Sequence, residues 1–260
     1  MPEGAGASRE RAVPPDDARA GAVVAILLAA GSSMRMRGAA EPDREKLWAP
    51  LDGAPLLSRP LAMLACLPDV DRVVVVAPAG RHADIDGLGA AVRPLLVEGG
   101  ARRQDSLAAG VNAAPDAGWY LVHDAARPLA SRALALRVLD AAREHGAALA
   151  AVPVADTIKE VDGAGRVVRT AARKSLRAAQ TPQAFSGDLL RRALAAASGP
   201  GAAEATDCAS LVERLGEAVW IVEGEEWNVK VTTAADLARV RAAVHDVTSL
   251  RDSGPSGRTP

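Results

Sequence analysis

The sequence has few aromatic residues, few cysteines and no excess of either charge, and each shortage excludes a class of protein. Aromatic side chains make up 2% of the 260 residues, too few for a surface that stacks nucleic-acid bases. The 31 basic and 32 acidic residues create no basic field, so we expect no nucleic-acid partner. The two cysteines, Cys66 and Cys208, exclude a disulfide framework. Neither has zinc-site spacing, so we assign no metal ligand.

Long apolar stretches are also absent. The longest run, residues 22–30, has about half of the roughly 20 residues that a membrane-spanning helix needs. It does not fit a signal peptide well, because Asp16 and Asp17 precede it where positive charge is expected. We therefore expect no membrane partner and a cytoplasmic location.

The chain reads as one domain, 21–247, between two tails. Residues 1–20 and 248–260 are rich in Gly, Pro, Ser and charge, which predicts disorder. Short apolar runs predict strands over 23–28, 72–77, 92–97, 119–123, 147–154 and 218–222. Amphipathic segments predict helices over 56–67, 103–113, 132–145, 188–197, 207–215 and 234–247.

This alternation predicts an α/β fold, a Rossmann-like and mostly parallel sheet with helices on both faces. Residues 153–182 break the rhythm, because they are polar and carry a turn at 162–165. The break predicts a hairpin arm over about 154–180 that stands away from the sheet. An exposed arm of this kind usually finds a partner.

A small-residue loop follows the first predicted strand. Ala29, Ala30 and Gly31 allow backbone N–H groups to approach phosphate oxygens. The loop lacks the G-x-G-x-x-G pattern of nicotinamide enzymes and the Gly-Lys-Ser/Thr end of a P-loop. Two cations, Arg35 and Lys46, come after it instead. Cations beside a backbone cradle suit a polyphosphate.

Other candidate residues follow predicted strands, where ligands bind in doubly wound sheets. Residues 97–106 join a strand to a helix and contain two consecutive glycines. Asp124 and Arg127 end another strand, and residues 180–183 and 228–232 carry further polar side chains. The neighbouring Arg102 and Arg103 read as a solvated helix start, and His123 as a packed strand residue.

These segments together resemble a known family. The segments LAAGSSMRM, EKLWAPLDG, EGGARRQDS, VHDAARP, AQTPQAF, TDCAS and WNVKVT have the order and spacing found in 2-C-methyl-D-erythritol 4-phosphate cytidylyltransferases. The resemblance runs from about residue 23 to about 247. It implies a nucleotide-diphospho-sugar transferase-like fold. It also implies transfer of CMP from CTP to methylerythritol phosphate in non-mevalonate isoprenoid biosynthesis, with release of pyrophosphate and with Mg²⁺ held mainly by the CTP phosphates.

The resemblance assigns roles to individual residues. Arg35 and Lys46 would neutralise the α-phosphate in the transition state, and Arg173 and Lys230 would position the acceptor phosphate. The nucleotide pocket would comprise Ala29, Ala30, Gly31, Ser33, Gly100, Ser106 and Ala125. The acceptor pocket would comprise Asp124, Arg127, Thr157, Thr181 and Thr206.

The family's arms cross between two subunits, so the resemblance implies an obligate homodimer. Thr157, Arg173 and Thr181 would then act on the neighbour's site.

Two other functions stay open: a cytidylyltransferase for another polyol phosphate such as ribitol 5-phosphate, and a non-catalytic nucleotide-binding module. Ser33 stands where the family commonly has glycine.

Overall fold

The computed structural model describes residues 21–31, 46–88, 92–198 and 204–252. The strands are β1 (Val23–Leu28), β2 (Pro50–Leu51), β3 (Ala54–Pro55), β4 (Arg72–Ala77), β5 (Leu95–Glu98), β6 (Trp119–Asp124), β7 (Ala147–Pro153), β8 (Lys159–Val161), β9 (Val167–Thr170), β10 (Arg177–Ser186) and β11 (Trp220–Glu223). The helices are α1 (Ser58–Ala65), α2 (His82–Asp86), α3 (Arg103–Asn112), α4 (Arg132–His145), α5 (Gly187–Ala196), α6 (Ala209–Glu213) and α7 (Ala234–Asp252).

Seven strands form one sheet in the order β11-β7-β10-β6-β1-β4-β5. All run parallel except β10, which is antiparallel to both β6 and β7. Strand β1 lies near the centre, and its sequence VVAILL is apolar on both faces because helices cover both faces. The predicted Rossmann-like, mostly parallel sheet is confirmed.

The core consists of small and branched side chains on the two faces of this sheet. On one face Leu27 packs in a cluster with residues of α1 and α4. On the other face Ile26 packs with residues of α3 and α5. Tyr120 and Phe185 are fully buried in this second cluster, so two of the few aromatic residues stabilise the core.

The register brings several strand ends to one edge of the sheet. Leu28 at the end of β1 pairs with Asp124 of β6 on one side and with Val76 of β4 on the other. The N–H of Ala29 extends the pairing by donating to the Val76 carbonyl at 2.8 Å. The loops that follow β1, β5 and β6 therefore meet at this edge, where parallel sheets bind ligands.

The predicted arm is a real hairpin, but it is shorter than the sequence suggested. Strands β8 and β9 pair with each other in a sheet of their own, and their turn includes Gly165 at φ +83°. From Arg177 onward the chain belongs to β10 of the main sheet. Strand β10 was not predicted because its central residues are polar. Its pairing with β7 shifts register between Ala179 and Gln183, which accommodates the polar segment.

Several other elements also differ from the prediction; β5, for example, spans Leu95–Glu98 and not 92–97. Helix α2 was not predicted, and α7 continues to Asp252, beyond the predicted domain end at 247. The predicted disordered tail at 1–20 and most of the one at 248–260 lie outside the described residues. Within the described ranges, no helix combines the length and apolarity that a membrane crossing requires.

Candidate active site

Two adjoining cavities open at the carboxyl edge of the sheet. The first, about 390 Å³, lies between the loop after β1, the loop before α3 and the segment around Lys230. The second, about 360 Å³, lies between β10, the residues before α6 and the end of β6. Three charged side chains, Arg103, Asp124 and Lys230, border both cavities. The two cavities therefore meet at this group of charges.

The first cavity is built largely from backbone and small side chains. Ala29, Ala30 and Gly31 from the loop after β1, Gly100 from the loop before α3, and Ser106 of α3 all line it. The Ser106 hydroxyl accepts the Gly100 N–H at 3.1 Å, which fixes the loop before α3. Small side chains leave room for a ligand to reach backbone N–H groups, as anion-binding loops require.

Glycine is needed next to this cavity because the two loops approach closely. A Cβ atom on Gly99 would overlap the methyl group of Ala30. One on Gly100 would overlap the Cβ of Asp105. The paired glycines therefore let the β5–α3 loop lie against the loop after β1, and this contact closes one side of the first cavity.

We call the place where the two cavities meet, at Arg103, Asp124 and Lys230, the junction. There the Asp124 carboxylate lies between two cations. Oδ1 accepts from the Arg103 guanidinium at 3.0 Å, and Oδ2 accepts from Lys230 Nζ at 2.7 Å. Burial opposes the charge of this carboxyl, but Arg103 and Lys230 outweigh it and hold the pKa of Asp124 well below its usual range. Asp124 is therefore an anion at any working pH, and Lys230 is attached to it.

A buried hydrogen-bond chain holds the backbone of Asp124 in place. The Thr181 hydroxyl accepts the Asp124 N–H at 3.0 Å and lies 3.0 Å from His123 Nδ1. His123 Nε2 lies 3.1 Å from the Arg127 carbonyl, which can only accept, so Nε2 carries the proton and Nδ1 accepts from Thr181. Burial lowers the pKa of His123 to about 4. This neutral imidazole is a structural group, as its packed strand position predicted.

The second cavity is lined by polar side chains that are held in place by hydrogen bonds. Gln183 Nε2 donates to Asp207 at 2.9 Å. Gln180 exchanges hydrogen bonds with the Glu225 backbone and accepts one from Asn228 Nδ2. The Arg127 guanidinium donates to the Asn228 carbonyl at 2.7 Å and to the Ala179 carbonyl at 3.3 Å. Arg127 thus connects β10 to the segment that carries Lys230.

Known proteins share this architecture. The family model for IspD, 2-C-methyl-D-erythritol 4-phosphate cytidylyltransferase, matches residues 23–246. The chain belongs to this family. The enzyme of that name from Nocardia farcinica is 44% identical over 222 residues, which cover 84% of this chain and 91% of the relative. The structure of the Thermus thermophilus enzyme is 37% identical with a TM-score of 0.69, covering 85% of this chain and 98% of that one.

Some relatives are longer proteins. A bifunctional enzyme IspD/IspF from Anaeromyxobacter sp. (strain Fw109-5) is 46% identical over 227 residues, which cover 85% of this chain. The matched part spans 56% of that relative's length. With these comparisons, the predicted cytidylyltransferase family, its α/β nucleotidyltransferase fold and its enzyme class are confirmed.

The structure brings together several of the residues that the cytidylyltransferase resemblance selected. Ala29, Ala30, Gly31, Lys46, Gly100 and Ser106 line the first cavity, Arg127, Thr181 and Thr206 line the second, and Asp124 and Lys230 line both. Arg35 and Ser33 lie outside the described residues. Their roles remain predictions.

Two placements correct the sequence-based expectations. Ala125 does not line the first cavity: it is fully buried in the core and its N–H donates to the Leu28 carbonyl, while Ala126 lines the cavity. Thr181, expected to act on a neighbour's site, lies in the site of its own chain, because β10 returns to the main sheet and brings its hydroxyl to Asp124.

Thr157 and Arg173 lie elsewhere, on the arm. Both are exposed, and Arg173 donates to the Ala155 carbonyl of the same arm at 2.6 Å. Neither is among the described residues that line the two cavities of this chain. Their roles at a neighbour's site, which the resemblance implies, remain predictions.

Arg103 is a site residue that was not predicted from the sequence. Arg102 is a surface residue paired with Asp105, as expected for a helix start, but the next side chain turns inward. Arg103 is 23% exposed and contacts both Asp124 and Cys208, which lie 21 and 105 residues away in sequence. The available signal was its position directly after a glycine loop at the carboxyl edge of the sheet.

Proposed function

We propose that this cytidylyltransferase transfers CMP from CTP to 2-C-methyl-D-erythritol 4-phosphate, giving 4-diphosphocytidyl-2-C-methyl-D-erythritol and pyrophosphate. The observation that carries the proposal is the meeting of two cavities at Arg103, Asp124 and Lys230. A backbone-lined cavity suits a nucleotide, and a polar neighbour suits a polyol phosphate. Two substrates bound in this way would place their phosphates next to one another.

The reaction needs no general base or protein nucleophile. A phosphate monoester is already ionised near neutral pH because its second pKa is about 6. Its oxygen attacks the α-phosphorus in line, the new P–O bond forms, and the bond to pyrophosphate breaks. What the reaction requires is positive charge, since two like charges about 4 Å apart repel by ~4 kcal/mol at an effective dielectric constant of 20.

The chain supplies that charge at the junction and around it. Arg103, Arg127 and Lys230 bring three positive charges near the single negative charge of Asp124. Lys46 lines the first cavity, where it would stabilise the α-phosphate, with Arg35 as its predicted companion. Electrostatic stabilisation by fixed cations is the main source of catalysis in such transfers.

We also propose that Mg²⁺ enters with CTP and is held mainly by its phosphates. Within the described ranges, no three His, Cys, Asp or Glu side chains are grouped to hold a metal ion. Both oxygens of Asp124, the carboxylate at the junction, already accept from Arg103 and Lys230. This donor set fits an ion that the triphosphate carries, and the ion would neutralise phosphate charge there.

The arm supports a homodimer. Ile158, Val161, Val167 and Val168 leave between 38% and 64% of their surface exposed on this hairpin. A partner covering them would remove apolar surface from water. Thr157 and Arg173, on the same arm, would then reach the partner's second cavity and position its acceptor phosphate.

Light scattering tests this assembly. The double substitution Val167→Asp/Val168→Asp should give a monomer with little activity, since charge on the arm opposes burial. The matched control is Val92→Asp, because Val92 is 43% exposed but lies near β5 at the far edge of the sheet. A wild-type chain that is monomeric and fully active would refute the shared site.

The reaction itself is tested by pyrophosphate release. The assay contains CTP and Mg²⁺ with methylerythritol phosphate, with ribitol 5-phosphate, or with no acceptor. Release with methylerythritol phosphate alone is the expected result. Release with ribitol 5-phosphate alone would keep the fold and the cation roles but change the acceptor. No release with either, from protein that binds CTP, would indicate a non-catalytic nucleotide-binding module.

A further inference from the structure

Arg103 is the charged residue at the junction to which sequence reasoning gave no function. We propose that Arg103 is a positioning residue: it holds the Asp124 carboxylate so that Lys230 can turn its ammonium group to the acceptor phosphate. The proposal rests on the proposed function, because it assigns Lys230 to the acceptor. It concerns how the ammonium group of Lys230 becomes free to bind the acceptor phosphate.

The guanidinium of Arg103 is fixed at both ends. One nitrogen donates to Asp124 Oδ1 at 3.0 Å and the other donates to Cys208 Sγ at 3.2 Å. Burial raises the pKa of the Cys208 thiol, which keeps this sulfur neutral and makes it an acceptor that does not compete for charge. Arg103 begins α3, so its backbone is also held by a helix. This cation stays in place.

The side chain of Lys230 is more exposed and more flexible than that of Arg103. Its side chain is 41% exposed, compared with 23% for Arg103 and 10% for Asp124. A lysine ammonium is a point charge on a flexible stem and rotates easily between acceptors. Lys230 Nζ contacts the other oxygen of the same carboxylate at 2.7 Å, at the point where both cavities meet. It is therefore the cation that can move.

The number of cations bound to the Asp124 carboxylate determines how strongly it holds the Lys230 ammonium group. A buried carboxylate with a single cation binds it tightly, because separating a buried pair leaves an uncompensated charge. With Arg103 present, the carboxylate keeps one partner when Lys230 turns to a phosphate. Without Arg103, Lys230 would be the one hydrogen-bonded cation left on Asp124 among the described residues, since Arg127 acts on the carboxylate through its charge alone. Lys230 would then be held away from the acceptor.

A double-mutant cycle tests this coupling. Arg103→Met should raise KM for methylerythritol phosphate and lower kcat, together about 100-fold in kcat/KM, with less than a threefold change in CTP affinity by calorimetry. In a Lys230→Met background the same substitution should cost less than fivefold, since there is no ammonium left to release. Arg103→Lys should recover part of the loss. Arg192→Met, which removes an exposed arginine from α5, is the matched control and should behave as wild type.

The alternatives give different results. If Arg103 contacts the acceptor phosphate directly, its effect will be of equal size in both backgrounds. If it is a purely structural residue, CTP affinity and the unfolding midpoint will fall together with activity, and Arg103→Lys will not recover the KM for the acceptor. Either outcome overturns the proposal.

A measurement without substrate separates this inference from the proposed function. Reductive methylation with formaldehyde and a borohydride reagent, followed by peptide mass spectrometry, reports how available each lysine amine is. Methylation of Lys230 should slow at least threefold in Arg103→Met, while Lys159, an exposed arm residue, should react at its wild-type rate. An unchanged Lys230 rate would refute the inference even in an active enzyme. A slowed rate in a chain without cytidylyl transfer would refute only the function.

Discussion

The hydroxyl of Thr181 is predicted to stabilise the active site more than its size suggests. It accepts the N–H of Asp124 and donates to Nδ1 of His123, both at 3.0 Å. Thr181 is 3% exposed and His123 is fully buried, so water cannot replace the hydroxyl in either contact. Thr181→Val keeps the shape of the side chain and removes both hydrogen bonds.

The expected cost follows from the two groups left without a partner. A buried donor or acceptor that loses its hydrogen bond costs about 1–3 kcal/mol. Two such groups, with the volume retained, give roughly 2–6 kcal/mol in the free energy of unfolding. For a domain of this size that corresponds to a decrease in Tm of about 4–24 °C. Because the backbone of Asp124 would also be released, kcat/KM should fall about tenfold or more.

Urea unfolding at a fixed protein concentration measures the first effect and pyrophosphate release the second. Thr181→Ser is the matched control, since it keeps the hydroxyl and loses only a methyl group, which costs about 1 kcal/mol. A Thr181→Val variant whose free energy of unfolding lies within about 0.5 kcal/mol of the wild type would contradict the assigned hydrogen bonds. Equal losses of stability in the serine and valine variants would contradict them too, because the hydroxyl would then contribute nothing.

Three further predictions concern neighbouring residues. Because burial lowers the pKa of His123 to about 4, the unfolded chain binds its proton first as pH falls. About 3 kcal/mol of unfolding free energy should therefore be lost between pH 6.5 and 4. In urea titrations at several pH values, His123→Gln should reduce this dependence of the unfolding free energy on pH. An unchanged pH dependence would contradict the prediction. Gly99→Ala would displace Ala30 and should weaken CTP binding at least tenfold by calorimetry; wild-type affinity would refute the loop packing. Lys230→Ala should lower kcat by at least 100-fold while Arg192→Ala does not, and near-normal turnover would remove Lys230 from the mechanism.

The main sheet could be predicted because its strands are apolar on both faces. Strand β1 and helix α4 begin and end at the predicted residues, since β-branched runs and amphipathic segments identify buried strands and packed helices. Strand β10 could not be found in the same way. Its centre, Gln180 to Gln183, makes hydrogen bonds in the site, so its composition reflects the cavity and not the sheet.

Strand positions alone predict only the site residues that directly follow strands. Asp124 ends β6, and Ala29 to Gly31 follow β1, so strand positions alone place them at the binding edge. The partners of Asp124 depend on long-range contacts. Lys230 is 106 residues away and Arg103 is 21 residues away. The glycine loop places both Arg102 and Arg103 near the binding edge, but local sequence does not distinguish which of the two turns inward.

The charges at the junction also explain why a phosphate would bind there. Three cations, Arg103, Arg127 and Lys230, lie near the Asp124 carboxylate, and these four side chains carry a net charge of +3 − 1 = +2. Asp207 and Glu213 also line the second cavity. A phosphate monoester carries about −1.5 to −2 at pH 7, so its arrival would neutralise the junction. Asp124→Asn would raise the net charge to +3. The variant should therefore bind inorganic phosphate more tightly by calorimetry while turning over more slowly, since Arg103 and Lys230 would lose the carboxylate that orients them. Weaker phosphate binding by this variant would show that Asp124 itself contacts the acceptor.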